Sequence, residues 1–316
     1  MSYETIISGT GDDKKILLRN KVSETEAEIF SFGALLNSFS IPHNGKLQNV
    51  VDGFSNVDEA RKEITPGFKS AKLSPFVCRL KNGEYQFNER LFITDKFFLK
   101  EHALHGLLYD ADFILADYGA DDNKAFVKFV YHYKNLNEGF PFPYKTEITY
   151  QLEEQNRLFV TTQISNEGKT ALPLADGWHP YFTLGKTIDD CSLQFESETM
   201  LEFDAGLIPT KEKIDDTRFL HPSSLEGIGL DNCFELKKYI NKPRCFLKNE
   251  NLTLAIEPDA SYPYLQIYTP PHRRSIAIEN VSSAPDAFNN KMGLIILQPG
   301  EQRVFKTAYQ IFGNKS

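Results

Sequence analysis

The alternation of apolar and polar residues with a period of two constrains the fold most. In residues 127–133 the odd positions are apolar or aromatic, whereas Lys128 and His132 face the other way. Residues 146–152 and 158–164 alternate similarly around a polar five-residue loop, which predicts a β-hairpin. Many short strands of this kind predict an all-β fold made of antiparallel strands.

Two further segments complete the secondary-structure prediction. Residues 294–297 and 303–311 flank the turn Gln298-Pro299-Gly300-Glu301, which predicts a second hairpin. Residues 58–63 predict a short helix that Pro66 and Gly67 would stop. No long stretch has a helical apolar stripe, and no composition break or repeat divides the chain. We therefore expect one domain over residues 1–316, although periodicity alone leaves sandwich, jelly roll and barrel open.

Composition narrows the kinds of binding partner and the cellular compartment that we expect. The 25 Phe and 14 Tyr favour sheet, because flat rings pack well on a pleated surface. A net charge of −8 without a basic run disfavours nucleic acid. No apolar run is long enough for a membrane span, and the first residues lack the features of a signal peptide. We expect a cytoplasmic monomer or homodimer.

The four cysteines are too few for a disulfide framework. They are Cys78, Cys191, Cys233 and Cys245. No two of them form a CxxC pair, so a zinc ribbon or a thioredoxin-like site is not indicated. We expect free thiols.

Histidines define the first two candidate sites. His102 and His105 precede Gly106, and a glycine at this position favours a tight loop that presents an imidazole at close range. The two histidines could also ligate a metal. Alternatively, they could be ordinary loop residues. His179 is restricted by the Pro180 that follows it. Its aromatic neighbours would form a pocket wall or would bury a purely structural imidazole. These neighbours are Trp178, Tyr181 and Phe182.

The third candidate site is the segment 275–280. Ile276 and Ile278 share one face of a predicted strand, while Ala277 and Glu279 share the other. The small Ala277 would leave room beside the carboxylate, although a glutamate at the end of a strand is often a solvated rim residue. Asp286, in a Pro-Asp-Ala segment, is typical of a turn.

These clusters and four further segments resemble the aldose 1-epimerase (galactose mutarotase-like) family. The seven segments follow the family's order between about residues 48 and 310. They are Ser74–Leu80 followed by Asn82-Gly83, Ala103–Leu107, His179–Leu184, Leu230–Phe234, Leu265–Thr269, Ile278–Asn280 with Ala284–Asn289, and Leu297–Glu301. The resemblance implies a single large antiparallel β-sandwich, the galactose mutarotase-like supersandwich, with a site on one sheet face.

The resemblance also implies residue roles. Glu279 would be the general base, His179 the general acid and His105 the other active-site histidine. Arg79, Asp231 and Gln266 would bind sugar hydroxyls. Three positions near the implied site depart from the family pattern: Cys78 replaces an asparagine, Leu107 replaces a glycine, and His102 stands where asparagine is common.

The implied reaction interconverts the α and β anomers of a free aldohexose by acid–base ring opening and closure. It requires neither a metal nor another cofactor. Two alternatives stay open from the sequence. One is a non-catalytic sugar-binding or sensing protein on the same fold. The other is an epimerase for a phosphorylated hexose, for which the basic segment 272–274 would supply cations.

Overall fold

The computed structural model describes residues 1–238 and 244–314, and strands form most of its regular structure. The first strands are β1 (Tyr3–Ser8), β2 (Lys15–Asn20), β3 (Thr25–Phe30), β4 (Leu36–His43), β5 (Lys46–Asn49), β6 (Ala71–Leu73), β7 (Arg79–Leu80), β8 (Glu84–Phe87), β9 (Arg90–Ile93), β10 (Phe98–Leu99), β11 (His102–Leu104), β12 (Ile114–Ala120), β13 (Lys124–Tyr133), β14 (Tyr144–Glu153) and β15 (Arg157–Asn166). The later strands are β16 (Leu172–Leu174), β17 (Gly177–His179), β18 (Tyr181–Phe182), β19 (Ser192–Phe195), β20 (Ser197–Phe203), β21 (Pro209–Asp215), β22 (Ser223–Ser224), β23 (Asp231–Leu236), β24 (Cys245–Lys248), β25 (Leu252–Ile256), β26 (Tyr264–Tyr268), β27 (Ile276–Val281), β28 (Ile295–Leu297) and β29 (Gln302–Gly313). The α-helices are α1 (Val57–Gly67) and α2 (Ala287–Asn290), and short 3-10 helices span Lys81–Gly83 and Ile188–Asp190.

Two large antiparallel sheets dominate the described residues. One, which we call the outer sheet, has the order β12-β13-β14-β15-β29-β25-β24-β19-β22. The other, the site sheet, has the order β21-β20-β23-β26-β27-β17-β6, with β18 also paired to β27. Strands β1 to β5 form a separate meander, and smaller sheets join β10-β11-β7, β16-β28 and β8-β9.

The two large sheets pack face to face. Tyr150 of the outer sheet lies with its ring centroid 6.0 Å from that of Trp178 in the site sheet. Phe182 and Tyr309 make a similar contact at 5.4 Å. Their apolar inner faces belong to one continuous core. The predicted all-β antiparallel sandwich is therefore confirmed.

Strand β27 shows how alternation separates the core from the site. Ile276 and Ile278 are completely buried and belong to the core between the sheets. Ala277 and Glu279 point to the opposite face of the site sheet, as predicted. Glu279 lies within the strand and is only 2% exposed, so it is not a solvated rim residue.

One predicted hairpin is correct and the other is wrong. β14 and β15 pair along their whole length, with a shorter loop than predicted because Glu153 and Arg157 already pair. The turn at residues 298–301 does reverse the chain. However, β28 pairs with β16, whereas the neighbours of β29 are β15 and β25.

Helix α1 is longer than the predicted residues 58–63. The side chain of Asn56 caps its first turn by accepting a hydrogen bond from the Glu59 N–H at 2.9 Å. The helix continues through Pro66 to Gly67, so Pro66 does not stop it as predicted. It ends at Phe68, whose φ of 52° is left-handed.

Two predictions from composition can be compared with the structure. All four cysteines are free and buried, as expected. Within the described ranges, the helices are too short and too polar to cross a lipid bilayer.

A buried ion pair supports the site sheet at β17. The Nζ atom of Lys72 lies 2.5 Å from a carboxylate oxygen of Asp176, and both side chains are completely buried. Lys72 also donates to the Gly177 carbonyl at 3.1 Å, and the Tyr262 hydroxyl donates to Asp176 at 2.7 Å. Burial lowers the pKa of Lys72 and raises that of Asp176, whereas their mutual attraction opposes both shifts.

Lys72→Met should destabilise the fold by about 3–5 kcal/mol, because it leaves the Asp176 charge buried and unpaired. The measurement is the free energy of unfolding in urea. Lys128→Met is the control: its partner Glu147 keeps a second lysine, and an ion pair in which one partner is open to solvent, here Lys128, contributes about 0–1 kcal/mol. Equal losses for the two variants would contradict the buried pair's role.

Candidate functional site

The register of β27 against β17 and β18 brings His179 opposite Glu279. Their side chains meet on the pocket-side face, with His179 Nε2 3.3 Å from Glu279 Oε1. Both residues are at least 94% buried. The flanking pairs in the same register are Gly177–Val281 and Tyr181–Ala277.

The next strands extend this row across the site sheet. Gln266 of β26 is the register partner of Glu279 and therefore projects from the same face. Its Nε2 donates to Asp231 Oδ1 on β23 at 2.9 Å. Tyr268, two residues further along β26, is the partner of Asp231 and also lines the pocket.

His105 enters the pocket from a loop. It has a left-handed φ of 62°, and its backbone N–H donates to the Cys78 carbonyl at 2.9 Å. A side chain at Gly106 would lie 2.3 Å from the Ser74 carbonyl oxygen, so only glycine allows this close approach. The His105 ring centroid is consequently held 4.8 Å from that of His179.

Arg79 and Cys78 come from the segment that supports this loop. Arg79 is half-buried, and its register partner is Leu104, directly before His105. Cys78 has a φ of 50° and is buried at the pocket wall. Arg79 thus brings positive charge next to the carboxylates of Glu279 and Asp231. Burial raises the pKa of both carboxyls, and the charge of Arg79 opposes that rise.

These residues surround a cavity of about 180 Å³, which we call the polar pocket. One side carries the polar groups already described. The other side is mainly apolar and is formed by the end of α1 and by a loop. Its residues are Thr65, Pro66, Gly67, Phe68, Phe97, Leu99 and Leu104.

Burial sets the protonation states of the site. It raises the pKa of Glu279 well above its usual range, and Asp231 adds to this shift while Arg79 opposes it. Burial lowers the pKa of His179 to about 4. The pKa of His105 is lowered well below its usual value by burial and then by His179 and Arg79. Burial therefore favours the neutral form of each of these groups.

Several polar atoms of the site have no hydrogen-bond partner among the described residues. They are His105 Nδ1, His179 Nδ1, Gln266 Oε1 and Glu279 Oε2. Buried polar atoms in native proteins are normally paired with protein, water or a ligand. Their convergence here is typical of a site for a ligand rich in hydroxyl groups.

The same pocket has a spacing compatible with a small cation. Ligand atoms of His105, His179 and Glu279 lie within 4.8 Å of one another. The His102–His105 pair considered from the sequence does not provide such a site. His102 turns away from the pocket, and its Nδ1 accepts a hydrogen bond from the Asn82 N–H at 3.1 Å.

The structure brings all six predicted site residues together, but only some of their predicted neighbours line the pocket. Of the three aromatic neighbours of His179, only Tyr181 lines the pocket; Trp178 and Phe182 face the core. Of the three departures from the family pattern, Cys78 lines the pocket, whereas Leu107 and His102 do not.

Sequence reasoning missed several wall residues. Tyr268 lies in a segment that carried the resemblance, so its position two residues after Gln266 could have identified it. Phe68 and Phe97 lie outside regular strands, where no periodicity indicates which way a side chain points. Their rings pack with centroids 5.0 Å apart.

The chain is similar to known proteins in both sequence and fold. The sequence model of the family described as aldose 1-epimerase matches residues 14–310. The aldose 1-epimerase of Streptococcus thermophilus is 26% identical over 340 residues, covering 96% of each protein. Uncharacterized protein YihR of Escherichia coli K12 is 25% identical over 256 residues, covering 77% of this chain and 78% of YihR. A galactose mutarotase-like protein from Clostridium acetobutylicum shares the fold, with a TM-score of 0.85 and 18% identity over 98% of this chain and 99% of its own.

The imidazoles of His105 and His179 should be neutral at pH 6 in the sugar-free protein. The reason is burial, which lowers the pKa of His179 to about 4 and that of His105 well below its usual value. ¹⁵N NMR of labelled histidine side chains measures this directly, with the exposed His221 as the reference signal. An imidazolium signal from either residue at that pH would contradict the expectation.

Proposed function

Because the chain belongs to the aldose 1-epimerase family, we propose that its pocket interconverts the α and β anomers of a free aldohexose. The contact between His179 and Glu279 carries this proposal. Ring opening removes a proton from O1 and delivers one to the ring oxygen O5. Because O1 and O5 are bonded to the same carbon, their two catalysts must lie side by side, as these side chains do.

The His179–Glu279 pair holds one exchangeable proton. Burial favours the neutral forms, a carboxylic acid beside an imidazole. Moving that proton from Glu279 to His179 gives a carboxylate and an imidazolium without exchange with solvent. The carboxylate accepts the O1 proton while the imidazolium donates to O5. The two groups titrate as a coupled pair rather than independently.

The remaining residues orient the ring. His105 polarises O5 from the side of His179, while Arg79, Asp231 and Gln266 bind ring hydroxyls. Rotation about C1–C2 in the open form exposes the other carbonyl face, and reclosure gives the other anomer. Orientation lowers the barrier only if both transfers are aligned. Ring opening breaks the C1–O5 bond and forms the C1=O1 carbonyl, and reclosure reverses both changes. The remaining steps are proton transfers and a bond rotation, so the sugar is neither oxidised nor reduced overall and this mechanism uses no redox cofactor.

The alternative of a phosphorylated hexose is less well supported. Arg273, the central residue of the basic segment, lies with its guanidinium 2.7 Å from Asp189. It also donates to the carbonyls of Ile228 and Leu225. The guanidinium of Arg273 therefore holds a loop in place and is not free to bind a phosphate.

Glu279→Gln should keep the fold and slow mutarotation by roughly 10²–10⁴-fold, because an amide cannot take the O1 proton. Polarimetry of freshly dissolved α-D-glucose and α-D-galactose measures the rate. The exposed Glu226→Gln is the matched control and should match the wild type. An unchanged rate in Glu279→Gln would refute its role.

A companion measurement assigns the histidines and addresses the non-catalytic alternative. His179→Asn should be slowed more than His105→Asn, because only the former loses the proton donor. The reverse order would exchange their roles.

Sugar binding by calorimetry without any rate enhancement in the wild type would favour a binding or sensing protein.

The pH profile of kcat/KM should have an acid limb well below neutrality, because burial lowers the pKa of His179. On the acid side it should fall near pH 4, where the pair takes a second proton and loses its base. On the alkaline side it should fall where the pair loses its only proton and therefore its acid. Polarimetry corrected for the spontaneous rate checks this. An acid limb near the usual histidine pKa of about 6.5 would contradict the shared-proton pair.

A further inference from the structure

Three side chains with metal-ligand chemistry meet on the polar side of the polar pocket. His105, His179 and Glu279 each offer one ligand atom, and these atoms all lie within 4.8 Å of one another. All three residues are buried. They come from distant parts of the chain, namely the loop after β11, the end of β17 and the middle of β27. Two imidazoles and one carboxylate form a known ligand set for zinc, in which a fourth position stays open.

The spacing of the two residues on strands fits a tetrahedral ion. His179 Nε2 lies 3.3 Å from Glu279 Oε1. Zinc holds imidazole nitrogens at about 2.0–2.1 Å and carboxylate oxygens at about 2.0–2.2 Å, so two such ligands at the tetrahedral angle lie roughly 3.3–3.5 Å apart. An ion can therefore bridge this pair without a change in its spacing, and His105 completes the set from a loop.

Charge and unpaired atoms in the pocket also favour a cation. Glu279 and Asp231 supply two carboxyl groups, whereas Arg79 supplies a single opposing charge. His105 Nδ1, His179 Nδ1 and Glu279 Oε2 have no hydrogen-bond partner among the described residues. Each of the three ligand side chains thus retains a buried polar atom that the fold itself does not satisfy.

We propose that the polar pocket binds Zn²⁺ in place of a sugar and that zinc is a competitive inhibitor of mutarotation. The inhibitory part of this inference rests on the proposed function, in which Glu279 takes the O1 proton and His179 donates to O5. A bound ion occupies the carboxylate and the imidazole that these two transfers use. Zinc and the sugar therefore exclude each other, and activity falls as the concentration of free zinc rises.

The ligand types determine which ion binds and how firmly. Mg²⁺ and Ca²⁺ prefer oxygen ligands in larger number, whereas imidazole suits zinc. The partner behind a ligating imidazole usually strengthens a metal site by about 10–100-fold. His179, whose Nε2 faces Glu279, has no such partner at Nδ1 among the described residues. We therefore expect a reversible site that a chelator empties.

The test follows mutarotation of α-D-glucose by polarimetry, using metal-free protein and added ZnCl₂. Zinc should raise the apparent KM without changing kcat, and EDTA should restore the original KM. MgCl₂ at the same concentration should have no effect. Calorimetry of zinc binding to the sugar-free protein gives a Kd that is independent of turnover, and glucose should weaken it. This competition needs only the wild type, so it remains decisive if a variant fails to fold.

Two variants and a matched control locate the ion. His105→Asn and Glu279→Gln should each weaken zinc binding by more than about 100-fold, because losing only the partner behind a ligand costs about 10–100-fold. His132→Asn is the control. His132 Nδ1 lies 2.9 Å from a Glu167 oxygen in an exposed pair, which belongs to no group of three potential ligands within the described ranges. This variant should leave the zinc Kd and mutarotation unchanged.

Cys78 provides a second comparison within the pocket. Its side chain lines the cavity but lies outside the group of three ligand atoms. Cys78→Ser should therefore leave the zinc Kd unchanged. Loss of zinc binding in Cys78→Ser but not in His105→Asn would make the thiol the ligand and would overturn the inference.

The outcomes separate this inference from the proposed function. If glucose is mutarotated and zinc neither binds nor inhibits, the inference is overturned and the proposed function stands. Acceleration by zinc, or inhibition that glucose does not relieve, would also overturn it. If no sugar is mutarotated while zinc binding depends on the three ligands, the proposed function fails and zinc inhibition fails with it, whereas the metal site is retained.

Discussion

The pairing register between β27 and the β17–β18 segment is the constraint on which the site depends. It places His179 opposite Glu279, between the paired residues Gly177–Val281 and Tyr181–Ala277. The sheet itself therefore fixes the separation of the two side chains. A slip of one residue would turn Glu279 toward the core and Ile278 toward the pocket. The Lys72–Asp176 ion pair ties β6 to the residue before β17, and the Asp176 N–H in turn donates to the Ser282 hydroxyl, directly after β27, at 2.8 Å. The distance between these two side chains thus follows from backbone hydrogen bonding rather than from side-chain packing alone.

Burial shifts the pKa values of Glu279 and His179 but reduces the stability of the folded protein. Removing the carboxyl and the imidazole from water shifts both toward neutral forms, so a single proton can serve both groups. The same desolvation leaves buried polar atoms without protein partners, and each such atom carries an energetic penalty in the sugar-free state. A ligand that satisfies these atoms removes that penalty. The site therefore gains affinity from the polar groups that the fold itself does not satisfy.

The sequence predicted the parts of the molecule that alternation and ordered motifs can encode. Alternation placed Ala277 and Glu279 on one face of β27, and the motifs identified six residues that the fold brings together. Alternation could not show that β28 pairs with β16, because a period of two describes the faces of a strand and not its neighbours. It also could not distinguish His102 from His105. That difference depends on a left-handed turn at His105 and on the close approach of Gly106 to Ser74.

The site divides between strands and loops, and this division has consequences for specificity. Glu279, His179 and Gln266 project from paired strands, where the backbone allows little movement. His105, Cys78 and Phe68 instead occupy left-handed backbone positions, which non-glycine residues adopt only when the surroundings hold them there. Their positions depend on contacts between loops, such as the bond from the His105 N–H to the Cys78 carbonyl. Substitutions in these loops can reshape one wall of the pocket while the side chains that project from the strands keep their spacing. Cys78, which replaces the asparagine common in the family, is such a change at the pocket wall.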